Sequence, residues 1–234
     1  MKPQYRRMPS VKIAGRAIGA GEPPYIVAEL SANHGGSIDR ALTVLEAAKA
    51  AGMRTGAFFN WEPLRDLFAP GALTVSFMFG SAFSPEDDDR VTEQAIDSLR
   101  RDRLDAVFFY LGWVDECGHK YGWMSDEYLE AIANADRCVG RLLDVWRALE
   151  PDRECALLVT SDHGGHERTH GVDCDEDMLV PWILEGTRVR KGAELKETVR
   201  IQDTCVTLAH LLGLPRAREW EGRVVSEALT ESVV

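Results

Sequence analysis

The stretch "LLVTSDHGGHERTHG", Leu157–Gly171, decides how this chain is read. Its opening residues are a short apolar run of strand formers, the pattern of a strand buried in a sheet. Asp162 and His163 follow at once, then a glycine pair. A carboxylate and an imidazole just past a buried strand stand at the sheet's carboxyl edge, where open α/β sheets bind ligands. Half of the chain's six histidines lie in this one stretch.

Moving outward, the same design recurs upstream. "LDAVFFYLGWVDECGH", 104–119, is a nearly continuous apolar run that reads as a strand buried on both faces, with Asp115 at its end and His119 four residues on. "CALLVTSDHGG" carries the second buried strand. "MLVPWILEG" is a third, and its Pro181 marks an edge or a strand start. "TGAFF" and "PYIVAEL" read as further strands. Helical patterns separate them. In "SIDRALTVLEAAKAAG", Ile38, Leu42, Leu45 and Ala48 keep helical spacing, with Ser37 as N-cap and Gly52 as the stop. "SPEDDDRVTEQAIDSLRRD" has Ser84 as cap and Pro85 in the first turn, and its acids at 86–89 face the positive end of the helix dipole. That acidic run is therefore helix-start chemistry rather than a metal site. A long helix follows, with Leu129, Ile132, Ala135, Val139, Leu142, Val145 and Leu149 on one stripe. A last helix, "DTCVTLAHLLGLP", is capped by Asp203 and closed by Gly213 and Pro215. Strands alternating with helices predict an α/β fold, a mostly parallel sheet flanked by helices.

The chain has 234 residues, 45% hydrophobic and 28% charged, an ordinary globular composition. Its net charge of −11 argues against nucleic-acid backbones and anionic membranes as partners. Anionic substrates stay open if metal cations set the local charge. The five cysteines are scattered without a CxxC pair, as expected for reduced thiols in a cytoplasmic protein. The apolar run "AVFFYLGWV" is too short to span a bilayer. The basic N-terminus lacks the apolar core of a secretory signal.

Aspartate and neutral histidine suit Zn²⁺, and also Mn²⁺. Two Asp-plus-His pairs at neighbouring strand ends suggest two metals, Asp115 and His119 at one and Asp162 and His163 at the other, roughly 3.5–4 Å apart. His170 can return from the following loop to complete a sphere. Gly164, Gly165 and Gly171 let that loop turn tightly. His166 reads as a substrate contact, a support for a ligand, or a solvated loop residue. His210 reads as a half-buried helix residue.

The motifs "GWVDECGH", "TSDHGGHERTHG" followed by "MLVPWIL", and "RIQDTCVTLAHLLGLP" together resemble the C-terminal part of the alkaline phosphatase superfamily, on the type I phosphodiesterase/nucleotide pyrophosphatase side. The resemblance covers about residues 55–225. It implies an alkaline phosphatase-like fold, N-terminally truncated, and a metal-dependent phosphoester hydrolase acting on a small substrate. It implies that Asp115, His119 and His170 hold one metal and Asp162 and His163 the other, usually both zinc. In the family a Thr or Ser attacks phosphorus. No family-like nucleophile motif is found here, and no aspartate lies between Met1 and Ser37, so the catalytic residue is unassigned and turnover is open.

Residues 10–52, with "AELSANHGG", resemble instead the start of the sialic acid/pseudaminic acid synthases, which would give substrate-region roles to Glu29, Asn33 and His34. One strand and one helix cannot close the eight-stranded barrel of those enzymes. The resulting division is a synthase-like βα segment over 1–52, not an independent domain, and an alkaline phosphatase-like domain over 53–234, with the join near Ala47–Arg54 and a chimeric history. Glu29 and Ser31 are the residues that could replace the missing ligand and hydroxyl. The alternatives to a hydrolase are a non-catalytic metal-binding or interaction protein and a synthase fragment. An oligomer, with a neighbouring chain supplying groups, fits any of the three.

Overall fold

A computed structural model of the protein describes residues 11–13, 16–18, 37–68, 71–149, 154–218 and 220–230. The strand read in "PYIVAEL", with Glu29, Ser31, Asn33 and His34, lies outside them.

Two short strands, β1 (Val11–Ile13) and β2 (Arg16–Ile18), pair antiparallel. Helix α1 (Ser37–Ala50) leads through Gly52, at φ +85°, into β3 (Thr55–Phe59). All five residues of β3 are buried because both its neighbours are strands. β4 (Val75–Met78) and β5 (Ala106–Phe109) flank it in parallel, with Phe58 opposite Phe77 on one side and Phe109 on the other. Side chains alternate across a strand. Ala57 and Phe59 therefore face α1 and α6 (Ile201–Leu211), where they pack with Val44, Leu45, Val206 and Ala209. Phe58 faces α2 (Pro85–Asp102) and α4 (Asp126–Leu149), meeting Val91, Ala95, Leu99 and Leu142. Helices on both faces of a parallel sheet confirm the α/β expectation.

Between β5 and α4 lies α3 (Trp113–Tyr121). β6 (Ala156–Thr160), a short helical turn α5 (Asp175–Met178) and β7 (Trp182–Gly186) complete the order before α6. β6 and β7 form an antiparallel ribbon. Among the described residues this ribbon shares no ladder with β5. An apolar cavity of about 230 Å³ separates the two, lined by Phe109, Leu142, Trp146, Leu158 and Leu208.

Several expectations need correction. The run 104–119 is not one strand. β5 stops at Phe109, and Asp115 sits in the first turn of α3, because a buried strand and a buried helix start look alike in an apolar run. β6 is only half buried, consistent with its antiparallel, two-stranded setting. β7 does begin just after Pro181, as its proline requires. Ser84 stands at the N-cap of α2, yet its side chain makes no capping bond. Asp203 is not the cap of α6. It is the third helical residue and reaches back to accept the Arg200 N–H at 3.0 Å. The cysteines are all free, as expected. Among the described residues no helix is long and apolar enough to cross a membrane.

Candidate metal centre

Asp115 and His119 are one helical turn apart on α3, so both side chains leave the same face. The loop after β6 brings three more groups to that face. His119, His163 and His170 place their Nε2 atoms 3.7, 3.7 and 3.9 Å from a single oxygen, Oδ1 of Asp115. Those distances are too long for hydrogen bonds, and this buried oxygen has no hydrogen-bond partner among the described residues. His163 is also 3.7 Å from Asp162, whose side chain is almost completely buried. All five sequence-predicted donors are thus brought together.

The ring orientations show what the cluster is suited to hold. Nδ1 of His119 lies 3.1 Å from the Arg168 carbonyl, and Nδ1 of His163 lies 2.6 Å from the Gly164 carbonyl. A carbonyl only accepts, so each Nδ1 carries a proton, and in the neutral imidazole each Nε2 then presents its lone pair. Lone pairs and a carboxylate oxygen facing one point call for a cation. The Nε2 atoms of His119 and His170 are 3.2 Å apart, close to the ~3.3 Å separation of two nitrogens on a tetrahedral zinc with Zn–N bonds of ~2.0–2.1 Å. Asp115, His119 and His170 together place donor atoms within 4.8 Å of one another, near enough for one ion. Burial, then the neighbouring His163, pushes the His170 imidazole below its ordinary range and favours the neutral, ligating form. The residues fit a divalent cation.

Asp162 and His163 form a pair rather than a triad. His163 stacks on His170, with ring centroids 3.7 Å apart and planes 18° apart, which ties the pair to the first cluster. His166 pairs with Asp177 instead. Its Nδ1 is 2.7 Å from Oδ1 of Asp177, and this contact raises the imidazole's affinity for a proton. His210 is half buried on α6, as expected.

Two residues escaped the sequence reading. Trp123 stands edge-on to His119 at 5.0 Å and to His170 at 5.9 Å, forming a wall of the site. Asp177 is buried beneath the loop, although its setting in "DCDED" looks solvated. The loop threads between these two. A Cβ on Gly165 would lie 2.1 Å from the Trp123 ring, and one on Gly164 would lie 2.0 Å from the Glu176 carbonyl oxygen. The glycine pair is therefore a requirement of close approach. Gly164→Ala meets backbone, which cannot swing aside. It is expected to destabilise the protein by roughly 1–3 kcal/mol, a drop of roughly 2–12 °C in Tm. A melting curve superimposable on the parent's would contradict the close packing.

Comparison with known proteins bears on what such a centre serves. The sequence profile of "Type I phosphodiesterase / nucleotide pyrophosphatase" matches residues 27–205. The chain belongs to this family. The match begins inside the segment 10–52, and the synthase resemblance of that segment finds no support. Among curated relatives of this phosphodiesterase-family chain is the 2,3-bisphosphoglycerate-independent phosphoglycerate mutase of Parasynechococcus marenigrum (strain WH8102). It is 29% identical over 61% of the chain and 27% of the relative. GPI ethanolamine phosphate transferase 1 of Chaetomium globosum is 27% identical over 59% of the chain and 15% of the relative. The chain thus spans about a quarter or less of the length of these relatives. Two solved structures share the fold. Leishmania mexicana phosphoglycerate mutase covers 77% of the chain and 38% of its own at 17% identity, with a TM-score of 0.53. The PH0037 protein of Pyrococcus horikoshii covers 86% and 56% at 17% identity, with a TM-score of 0.52. The alkaline phosphatase-like architecture expected from the sequence is the one found.

Proposed function

We propose that this chain is a metal-dependent phosphoester hydrolase of the phosphodiesterase/phosphatase type, using zinc, with manganese as the alternative, on a small phosphoester. One observation carries the reading: three imidazole Nε2 atoms converge on one unpartnered oxygen of Asp115. Asp115, His119 and His170 hold the first ion, and Asp162 with His163 supplies donors toward a second. Family membership supports the phosphoester class. A divalent cation held there polarises a phosphoryl oxygen and lowers the pKa of a bound water or hydroxyl. The chain's own part is orientation. The Arg168 and Gly164 carbonyls fix two imidazole tautomers, and Trp123 shields one side of the cluster.

A second reading, cation binding without turnover, is favoured by Ser161. Its hydroxyl, beside Asp162, donates to the His163 carbonyl at 2.8 Å and is committed to holding the loop. Elemental analysis of zinc-loaded protein, paired with turnover of a chromogenic phosphodiester, separates the readings. Bound zinc with turnover is the expected result. Bound zinc with no turnover on any phosphoester tried selects the second reading, and no bound ion at all removes both.

A further inference from the structure

Asp177 makes contacts that a surface acid in an acidic run would not. It is 2% exposed. Its Oδ1 pairs with His166 Nδ1 at 2.7 Å. Its Oδ2 accepts the N–H groups of Gly171 at 2.7 Å and Val172 at 2.9 Å. Its main-chain carbonyl accepts the N–H of Gly164 at 2.8 Å, and the carbonyl of Glu176 next to it accepts that of Gly165 at 2.8 Å. Gly164 directly follows His163, and Gly171 directly follows His170. One residue therefore grips the chain immediately after each of the two stacked histidines, once through its backbone and once through its carboxylate.

We propose that Asp177 is a positioning residue for the metal centre: it fixes the separation of His163 and His170 by anchoring the residue that follows each of them, with His166 locking its carboxylate in place. The proposal rests on the cation-binding reading of the cluster. The two rings also touch each other directly, but the Asp177 contacts hold the backbone that carries them. The ladder between His166 and Thr169, with N–H···O distances of 3.0 and 2.9 Å, only closes the hairpin tip. The carboxylate does the anchoring as an anion. The His166 contact above all, and then the Val172 and Gly171 amides, hold its pKa down to about 2, so it stays charged across the working range. Groups that orient a ligand from behind its ring or backbone commonly change metal affinity 10–100-fold.

His166, Cys174 and Asp177 also place donor atoms within 4.8 Å of one another, so a cation of their own is the competing account. Both Asp177 oxygens are already taken by nitrogen donors, which favours the positioning role.

The test uses the full chain and Zn²⁺ alone, with affinity measured by competition against a chromogenic chelator. Asp177→Ala is expected to weaken zinc binding roughly 10–100-fold. Asp177→Asn keeps an acceptor for the Gly171 and Val172 amides and is expected to recover most of that loss. His166→Ala is expected to sit between Asp177→Asn and the parent. Amide resonances of Gly164, Gly171 and Val172, read without metal, should shift in Asp177→Ala and largely return in Asp177→Asn. That metal-free readout keeps the inference testable even if the parent binds no ion, which would overturn the proposed function instead. If Asp177→Ala does not fold, Asp177→Ser, too short to reach the Gly171 and Val172 amides, is read by the same two measurements and is expected to lose zinc affinity as the alanine would. Parent-like zinc affinity with unmoved amides in Asp177→Ala, or in Asp177→Ser where the alanine does not fold, overturns the proposal. So does loss of one bound zinc in Cys174→Ser, which would make the trio a cation site.

Discussion

Replacing His119 with alanine is expected to strip the chain of its first cation, lowering zinc affinity by more than about 100-fold, since removing even a group behind a ligand costs ~10–100-fold. The expectation follows from how few donors share the load. Asp115, His119 and His170 are the donors close enough to grip one ion. His119 is also the one whose tautomer the Arg168 carbonyl fixes, so its lone pair already points at the site and little rearrangement is needed on binding. Alanine removes the nitrogen and leaves its partner, His170 Nε2, without the contact at 3.2 Å. Zinc content after gel filtration, read by elemental analysis, is the measurement. His210→Ala is the control, because that imidazole lies half buried on α6 outside the cluster. A His119→Ala protein that keeps the parent's zinc content would show that the convergence of imidazoles is not a binding site. His163→Ala then reports on the second position. Its Nε2 lies 3.7 Å from both Asp162 and Asp115, so a two-ion centre should lose the second ion and a one-ion centre should keep its ion with weaker hold.

Much of this geometry was visible in the sequence, for a physical reason. Metal donors must be Asp or His here, and their spacing on a helix or past a strand is constrained by local geometry alone. Asp115 and His119, four residues apart, share a face because the segment is helical, with Asp115 in the first turn of α3 and His119 one turn on; along a strand they would stand roughly 13 Å apart. The same two residues are brought together although the segment reads as a strand. Long, strongly periodic helices such as Asp126–Leu149 were equally legible, as was the stop at Gly213, where φ is +69°. What escaped depends on contacts distant in sequence. β4 is four residues with mixed exposure and no alternation to betray it. The antiparallel pairing of β6 with β7 is set by partners 22 or more residues apart, from Thr160↔Trp182 outward. Asp177 carries no local signature at all. Its neighbours Asp175 and Glu176 have the same chemistry, and only the tertiary placement of the loop at 163–172 distinguishes it.

The acids at 86–89 illustrate the same limit and yield the second large prediction. They do open α2, but Asp88 is fully buried there, where a helix-start acid would ordinarily face water. Its Oδ1 accepts from the Asn60 amide at 2.7 Å, while Asn60 in turn accepts the Gly112 N–H at 2.8 Å, so this carboxyl braces the ends of β3 and β5 just ahead of α3. Its Oδ2 is buried with no hydrogen-bond partner among the described residues. Burial pushes its pKa up to about 7, against the Asn60 and Trp113 donors that favour the anion, and the adjacent Asp87 and Asp89 push the same way. Below about pH 4 the carboxyl is protonated both folded and unfolded, and it adds no pH dependence. Between about pH 4 and pH 7 the folded protein keeps a proton that the unfolded chain gives up, so stability falls as pH rises, by up to ~1.4 kcal/mol per unit and on the order of 4 kcal/mol in all. Above about pH 7 both states are ionised and the effect levels off. Asp88→Asn cannot ionise, so urea midpoints measured from pH 4.5 to pH 8 should lose this component of the decline. Its amide NH2 would take the place of Oδ2, leaving buried donors unmatched at a penalty of ~1–3 kcal/mol, so the variant should be the weaker protein near pH 4.5 and equal or stronger at pH 8. Parallel stability curves for parent and variant across that range would show that Asp88 is ionised in the folded protein, and that water or another donor reaches the oxygen the structure leaves bare.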